Sequence, residues 1–323
     1  MLKTISLNKT DLVVTPMCLG TVNYGSDMSE ADSIRQLNEY TELGGNFIDT
    51  AHLYGDWNPG DGPRSEIAIG KWLKERGGRN NVVICTKGAH PVVMHIPRCS
   101  DAEIQADLDD SLKSLNTDYI DIYFLHRDDP NRPASEIIEF LEKKVKEGKI
   151  RYYGCSNWKL DRIKEANQYA KIHGMQGFCC NQLMWSLAEI NFDGLSDKTF
   201  VLMDSPTYRY HEETGLNVMA YMSVAKGYFA RRLNGETLPQ SVKDVYDNEA
   251  NEKIYAILKD VCAKSPEAVT DYTFRYLMDE HPFPSVPVAS FDNFQQLKDG
   301  MSSVEANIDV GVLKKLALCK APL

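Results

Sequence analysis

Several features that identify other classes of protein are missing from this sequence. No apolar run approaches the ~20 residues that a membrane-spanning helix needs, and the opening segment MLKTISLNKTDLVV lacks the apolar core of a signal peptide. The eight cysteines include no C-x-x-C pair, and no histidine or cysteine spacing matches a zinc site. The net charge of −10 argues against a nucleic-acid surface, which needs a basic face. We therefore expect a reduced, cytoplasmic protein that holds no metal and binds neither nucleic acid nor membrane.

The composition is that of an ordinary globular protein, with 43% hydrophobic and 25% charged residues. A length of 323 residues fits one large barrel or two ordinary domains. No Pro- or Ser-rich linker and no low-complexity tract divides the chain. We therefore predict one domain over residues 1–323, present as a monomer or a small homo-oligomer.

Short apolar runs alternate with amphipathic helical patterns from about residue 17 onward. The predicted strands are MCLGT (17–21), NFIDT (46–50), NVVICTK (81–87), DYIDIYFLH (118–126), IRYYGCS (150–156), GFCCNQL (177–183), NVMAYM (217–222) and SVPVAS (285–290). Strands that alternate with helices pair in parallel through crossovers, and eight such units close into a barrel. The sequence thus predicts an α/β fold, specifically a (β/α)8 TIM barrel.

The two ends of the chain add to this barrel. The segment TISLNKTDLVVTPM predicts a small β-hairpin at the barrel bottom, with its turn near Asn8, and the tail VGVLKKLALCK predicts a C-terminal closing helix. Ser29, Ser100 and Ser135 precede acid-rich first turns and are predicted helix N-caps. Segment 188–216 has the weakest periodicity, which fits a substrate loop and a poorly patterned helix about equally.

Four polar residues lie at the ends of predicted strands two, three and four or just beyond, where a barrel gathers its chemistry at one mouth. They are Asp49, Tyr54, Lys87 and His126. Reducing a carbonyl requires a proton for its oxygen, and a tyrosine with a pKa of ~10 is a weak acid for that task. The ammonium of Lys87 could stabilise the phenolate, Asp49 could fix Lys87, and His126 could orient the carbonyl. Each residue alone has a structural explanation, but four compatible groups together favour an oxidoreductase.

The segments FIDTAHLYG, TKGAH, FLHRDD and GCSNW resemble the signatures of the aldo/keto reductase superfamily. The similarity runs from LGTVNYG at 19–25 to ASFDNFQQL at 289–297. It implies that Tyr54 is the general acid, that Lys87 and Asp49 tune it, and that His126 orients the substrate. It also implies NADP or NAD bound across the barrel mouth without a Rossmann domain, and the sequence has no G-x-G-x-x-G.

The same resemblance implies a set of cofactor contacts near the strand ends. Gly20 and Thr21 lie against the cofactor, and Tyr221 stacks on its nicotinamide ring. Three residues hydrogen-bond the carboxamide: Ser156, Asn157 and Gln182. Four more are candidates for contacts with the rest of the cofactor: Ser223, Lys226, Arg232 and Ser290. The chain reads AYMSVAKG where the family often has AYSPLAGG. Lys226, Arg231 or Arg232 could supply positive charge to the pyrophosphate, and a solvated basic face explains these residues equally well. No lysine or arginine occurs from Val286 to Leu297. We therefore expect only a weak preference for NADP.

The expected substrate contacts are polar and aromatic residues near the mouth: Tyr24, Trp57, His90, Arg127, Trp158 and Trp185, with Asn23, His52 and Asp128 beside them. Polar groups next to flat aromatic faces favour a sugar, a polyol or another hydroxylated substrate, and a small aldehyde or a steroid-like ketone stays open. Two other functions are compatible with the resemblance. One is a nicotinamide-binding regulatory or sensor protein with slow or vestigial reductase activity, and the other is an epimerase- or lyase-like enzyme with a tightly held cofactor.

Overall fold

Eight parallel strands form the centre of the computed structural model, which describes residues 2–56, 62–91, 96–265, 268–279 and 281–320. A short antiparallel pair, β1 (Ile5–Ser6) and β2 (Val13–Val14), precedes them. The parallel strands are β3 (Cys18–Gly20), β4 (Phe47–Asp49), β5 (Val83–Gly88), β6 (Ile120–Leu125), β7 (Ile150–Ser156), β8 (Cys180–Met184), β9 (Asn217–Tyr221) and β10 (Ser285–Ala289). Their order β10-β3-β4-β5-β6-β7-β8-β9 closes on itself as β9 pairs with β10. The prediction of a (β/α)8 barrel is confirmed.

Helices follow the strands around the outside of the barrel. They are α1 (Glu30–Glu42), α2 (Arg64–Arg76), α3 (Asp101–Ser114), α4 (Ala134–Lys146), α5 (Leu160–Ile172), α6 (Ser205–Thr214), α7 (Tyr228–Leu233), α8 (Gln240–Tyr246), α9 (Glu249–Cys262), α10 (Ala268–Met278), α11 (Phe294–Ser302) and α12 (Val310–Ala317). Four of them, α7 to α10, lie between β9 and β10. Within the described ranges, no helix is both long and apolar enough to cross a bilayer.

The N-terminal hairpin lies against the bottom of the barrel, as predicted. The backbone N–H of Asn8 donates to Oδ1 of Asn217 at 2.8 Å, and the Asn8 side chain donates to the carbonyl oxygen of Gly215 at 2.9 Å. Asn217 is the first residue of β9, so the turn meets the N-terminal end of the strand. Leu7 and Leu12 are buried with the lower core. The mouth at the opposite end stays clear of the hairpin.

The predicted helix boundaries are correct in two of the three cases. Ser29 and Ser100 accept hydrogen bonds from the first turns of α1 and α3 and are N-caps. Ser135 is not a cap, because α4 begins one residue earlier and Pro133 occupies the N-cap position. Proline has no side-chain acceptor, so the first turn of α4 has no side-chain N-cap. The predicted C-terminal helix is present as α12, which packs against α9 and α10.

His211 in α6 is fully buried and makes the fold sensitive to acid. Its Nδ1 lies 2.7 Å from the carbonyl oxygen of Leu216, and its Nε2 lies 3.1 Å from the side-chain nitrogen of Asn181. Burial lowers the pKa of His211 from 6.5 to about 4. Between these values the unfolded chain binds the proton and the folded chain does not, so stability is lost as the pH falls through this window. From this residue we expect a loss of about 2 kcal/mol between about pH 7 and about pH 5.

Guanidinium unfolding followed by circular dichroism at the two pH values measures this loss. His211→Gln should show a smaller fall in the free energy of unfolding than the parent chain, because its side chain does not titrate. His173→Gln is the matched control, since His173 is exposed at the end of α5. An equal fall in the parent and in His211→Gln would contradict the assignment to His211.

Candidate active site

A cavity of about 580 Å³ lies at the C-terminal ends of the barrel strands. All four residues of the predicted tetrad lie at this mouth, and three of them line the cavity wall directly. The lining consists of Gly20, Thr21, Val22, Asp49, Leu53, Tyr54, His90, His126, Arg127, Ser156, Asn157, Gln182, Asp197, Phe200, Tyr221, Met222, Ser223, Val224, Lys226, Val288, Ala289 and Ser290. Parallel strands with short apolar runs therefore bring distant polar residues to one place.

Lys87 lies beneath the cavity floor at the centre of the tetrad. Its Nζ donates to Oδ2 of Asp49 at 2.6 Å and to the carbonyl oxygen of Thr50 at 2.7 Å. The same Nζ lies 3.3 Å from the hydroxyl oxygen of Tyr54 and 4.7 Å from the centroid of its ring. Lys87 is 1% exposed, so this ammonium interacts with protein groups rather than with bulk water. The geometry holds a positive charge directly against the phenol.

The charges around Tyr54 and Lys87 act in opposite directions on their pKa values. Burial raises the pKa of Tyr54, and the ammonium of Lys87 is the largest influence that lowers it. Burial alone would lower the pKa of Lys87, but Asp49 and Tyr54 raise it above its usual value. Lys87 therefore keeps its proton at neutral pH, and its charge opposes the effect of burial on Tyr54.

His126 forms the wall next to Tyr54. The ring centroids of the two residues are 6.0 Å apart, and the ring of His90 lies 4.7 Å from that of His126 in an edge-on contact. Burial, followed by the positive charge of Lys87, holds the pKa of His126 well below its usual range. Burial likewise lowers the pKa of His90. Both imidazoles are therefore neutral at physiological pH, and Nδ1 of His126 is buried without a hydrogen-bond partner among the residues that the structure describes.

A hydrogen-bond network joins the tetrad to the predicted carboxamide site. The side-chain nitrogen of Gln182 donates to Oδ1 of Asp49 at 2.9 Å. The side-chain nitrogen of Asn157 donates to Oγ of Ser156 at 3.0 Å, and Oδ1 of Asn157 accepts from the hydroxyl of Tyr221 at 2.6 Å. The three predicted carboxamide residues thus lie together, and one of them also fixes the predicted stacking tyrosine.

A second groove of about 650 Å³ continues from the cavity and shares Lys226 and Ser290 with it. The backbone that follows β9, where the cavity and the groove meet, is unusual. Met222, Ala225 and Lys226 all have positive φ values, between 51° and 54°. Non-glycine residues adopt such angles rarely, and such strain concentrates at functional sites. Ser223 is held within this turn by a 2.9 Å hydrogen bond from its Oγ to the carbonyl oxygen of Val288.

Several predicted contacts are not part of the cavity. Tyr24 is fully buried and donates to Gln36, and Trp158 and Trp185 are 0% and 2% exposed within the packed interior. The prediction that these three residues line the mouth is therefore wrong. Arg232, predicted to contact the cofactor, does not line the cavity either, because its guanidinium pairs with Glu252 on α9.

The remaining predicted residues fall into three groups. His90 and Arg127 do line the cavity. Three others lie outside its lining and take part in other contacts or in the neighbouring surface: Asn23, His52 and Asp128. Trp57 lies outside the described residues.

The structure adds site residues that the sequence pattern did not indicate. Asp197 and Phe200 line the cavity from the irregular segment between β8 and α6. The carbonyl oxygen of Thr50 accepts a hydrogen bond from the Lys87 ammonium. Segment 188–216 contains both of its predicted possibilities, a loop that reaches the cavity and the helix α6. The Thr50 acceptor is a backbone carbonyl, which every residue has, so the residue type at this position could not indicate it.

Residues 16–320 match the sequence profile of the family described as "Aldo/keto reductase family". The chain belongs to the aldo/keto reductase family. An uncharacterised oxidoreductase of Bacillus subtilis, YrpG, is 29% identical over 318 residues, which are 96% of this chain and 93% of that protein. A thermostable aldo-keto reductase, Tm1743, solved with the inhibitor epalrestat, shares the fold with a TM-score of 0.73 at 20% identity and covers 99% of this chain and 100% of its own.

Two fungal relatives carry more specific names. Norsolorinic acid reductase stcV of Emericella nidulans is 30% identical over 195 residues, which are 56% of this chain and 49% of that protein. An aryl-alcohol dehydrogenase [NADP(+)] of Phanerodontia chrysosporium is 26% identical over 304 residues, or 84% of this chain and 74% of that protein. The chain is thus an NAD(P)H-dependent oxidoreductase, like its family as a whole.

The residues at the mouth fit a nicotinamide cofactor. The hydroxyl of Ser156 and the side chain of Gln182 offer a carboxamide both donors and acceptors. At Gly20 an added Cβ would lie 2.9 Å from Oγ of Ser290, so a larger residue there would displace the Ser290 side chain at the cavity wall. The groove shares Ser290 with the cavity and adds about 650 Å³ to it, so an elongated ligand could continue from one into the other.

Proposed function

We propose that this enzyme reduces an aldehyde or ketone, or oxidises the corresponding alcohol, with Tyr54 as the proton donor. The observation that carries this proposal is the Lys87 ammonium, fixed by Asp49 and Thr50 and 3.3 Å from the Tyr54 hydroxyl. A carbonyl that enters the cavity would meet this hydroxyl and the neutral imidazole of His126. Together they form a site that can protonate an oxygen as negative charge develops on it.

The nicotinamide cofactor, when bound, supplies the hydride that reaches the carbonyl carbon. Tyr54 donates its proton to the carbonyl oxygen, and Lys87 stabilises the phenolate that results. Lys87 is not the donor itself, because Asp49 and Tyr54 hold its pKa above its usual value. His126 is neutral and can hydrogen-bond the carbonyl oxygen without giving up a proton, which orients the substrate.

The substrate end of the cavity favours a flat, apolar carbonyl compound. Three apolar residues of the cavity lining, Val22, Leu53 and Phe200, accompany the ring of the proposed proton donor Tyr54. Trp158 and Trp185, two of the tryptophans that favoured a sugar or polyol, are buried elsewhere, which leaves that substrate class with less support. The name of the aryl-alcohol dehydrogenase of Phanerodontia chrysosporium agrees with an aromatic substrate. We therefore propose an aryl aldehyde or ketone, or a benzylic alcohol, as the substrate class.

A panel of carbonyl compounds with NADPH and with NADH, read as loss of reduced nicotinamide, tests this proposal. Benzaldehyde and its ring-substituted relatives should be turned over at least about tenfold more efficiently than glyceraldehyde or a ketose, a difference of about 1.4 kcal/mol in activation free energy. A reversed order would restore the sugar or polyol. Turnover without net oxidation of the cofactor would indicate an epimerase- or lyase-like enzyme. Tight cofactor binding without turnover of any carbonyl would favour a sensor.

The choice between NADP and NAD gives a separate prediction. The groove that extends from the cavity contains Lys226 and Arg231, but Asp292, Asp299 and Glu236 lie there as well. Nε of Arg231 pairs with Glu236 at 3.0 Å. A 2′-phosphate would therefore gain little net attraction, and we expect dissociation constants for the two cofactors within about tenfold of each other, with NADP the tighter.

Fluorescence quenching titrations with NADPH and NADH measure this ratio. Asp292→Asn removes a negative charge from the groove and should increase the preference for NADPH. Asp260→Asn makes the same change on the exposed surface of α9 and serves as the control. A parent enzyme that binds NADPH a hundredfold or more tighter than NADH would show that the phosphate lies elsewhere.

A further inference from the structure

Arg127 ties the end of β6 to the segment that follows β8. It comes directly after His126, and its Nη1 donates to the carbonyl oxygen of that residue at 2.8 Å. Its Nε donates to Oγ1 of Thr199 at 2.9 Å, and its Nη2 donates to Oδ2 of Asp197 at 3.1 Å. Each nitrogen of the guanidinium thus has a protein acceptor, and Asp197 balances its charge. Arg127 is 8% exposed, so this contact is largely shielded from solvent.

The same segment is held from its other side by the carboxamide site. The backbone N–H of Val201 donates to Oδ1 of Asn157 at 3.1 Å, and the backbone N–H of Met184 donates to the carbonyl oxygen of Val201 at 2.9 Å. Oδ1 of Asp197 accepts hydrogen bonds from the backbone N–H and the hydroxyl of Thr199. These bonds fix the turn between the residues held by Arg127 and the residue held by Asn157. The segment Asp197–Val201 therefore has a defined position over the cavity although it contains no helix or strand.

Phe200 is the aromatic side chain that this arrangement presents to the cavity. The guanidinium carbon of Arg127 lies 5.5 Å from the centroid of the Phe200 ring. The ring of Tyr221 lies 5.8 Å away at an interplanar angle of 63°. Phe200 is only partly buried and lines the cavity. Its ring is therefore restrained by Arg127 and Tyr221 while leaving surface for a ligand.

We propose that Phe200 is the residue that selects flat aromatic substrates, and that Arg127 is a positioning residue that holds Phe200 in place through Asp197 and Thr199. This inference rests on the proposed carbonyl reduction at the same site. It assigns Arg127 a different role from that of a direct substrate contact. An aromatic ring packed beside Phe200 would gain an edge or stacking contact that a straight-chain aldehyde of similar size would not.

The test compares benzaldehyde with butanal as substrates, and also measures the dissociation constant of benzamide by calorimetry at saturating oxidised cofactor. In Phe200→Leu we expect the ratio of kcat/KM for benzaldehyde to that for butanal to fall about fivefold, chiefly through KM, and benzamide to bind about fivefold more weakly. Leucine keeps an apolar side chain of the closest branched size and removes the flat aromatic face. The cofactor dissociation constant should change less than about twofold.

Arg127→Lys keeps the positive charge but loses the guanidinium fork, so it should lower the same ratio and weaken benzamide binding. The double variant should fall no further than Phe200→Leu alone, because the two residues act through one contact surface. Arg162→Lys is the control, since Arg162 pairs with Asp128 in the loop that contains Arg127 but does not line the cavity. It should leave the ratio unchanged.

An unchanged ratio and unchanged benzamide affinity in Phe200→Leu would overturn the assignment of selectivity to Phe200. Equal losses for benzaldehyde and butanal in Arg127→Lys would reduce Arg127 to a structural role. If the parent enzyme reduces neither aldehyde, the proposed carbonyl reduction fails, and the benzamide titrations of the same variants still decide whether Phe200 recognises an aromatic ring.

Discussion

Tyr54→Phe should lose carbonyl reduction by a factor of roughly a hundred to ten thousand, the usual contribution of a general acid. The change removes one hydroxyl, which lies 3.3 Å from Nζ of Lys87 at the cavity wall. The phenyl ring can keep its contacts with Lys87 and His126, so the cavity should retain its shape. Steady-state kinetics with an aryl aldehyde would show the loss in kcat, while fluorescence titration should give a cofactor dissociation constant close to that of the parent.

Tyr119→Phe is the matched control for this variant. It deletes a phenolic hydroxyl that donates to Asn80 at the surface, away from the cavity, and it should be fully active. Near-normal turnover by Tyr54→Phe would remove Tyr54 from the mechanism.

Lys87→Met should reduce activity to a similar extent, for an electrostatic reason. The ammonium is the largest influence that opposes the effect of burial on the pKa of Tyr54. Without it, burial and the charge of Asp49 both act to raise that pKa, and the phenolate formed on proton transfer loses its counter-charge. We expect the residual activity to depend on pH differently from that of the parent, which a pH–rate profile with an aryl aldehyde would show.

The lysine also balances a buried carboxylate, so its removal should destabilise the fold. Asp49 is 2% exposed, and breaking one partner of a buried ion pair typically costs about 3–5 kcal/mol. The double variant Lys87→Met, Asp49→Asn removes both charges and should recover much of this loss in guanidinium unfolding while staying inactive. Recovery of activity together with stability would show that Lys87 only supports the fold.

The sequence predicted the barrel because its strands are short, apolar and separated by amphipathic helices. The same regularity predicted where the tetrad would lie, since Asp49 and Lys87 fall on β4 and β5 and His126 immediately follows β6. Strand ends have a fixed direction in a closed barrel, so a polar residue there has few alternative positions.

The loop residues were harder to predict, and Trp158 shows why. Asn157 has a φ of +58°, and the chain after it turns so that Trp158 packs edge-on against Phe178 with ring centroids 5.0 Å apart. Nothing in the letters GCSNW indicates that reversal. Phe200 is the opposite case: its segment has no periodicity, and its position depends on hydrogen bonds to Arg127 and Asn157 that form only in the folded protein.

The hydrogen bond from Gln182 to Asp49 joins residues separated by 133 positions and so crosses from one half of the barrel to the other. An N-terminal half-barrel would carry Asp49, Tyr54, Lys87 and His126, yet Oδ1 of Asp49 would face water instead of the Gln182 amide. The complete hydrogen bonding of the Asp49 carboxylate, which holds Lys87, is therefore a property of the closed ring and not of the four residues alone. We therefore expect catalytic competence to arise only after β8 has joined the strands that carry the four residues.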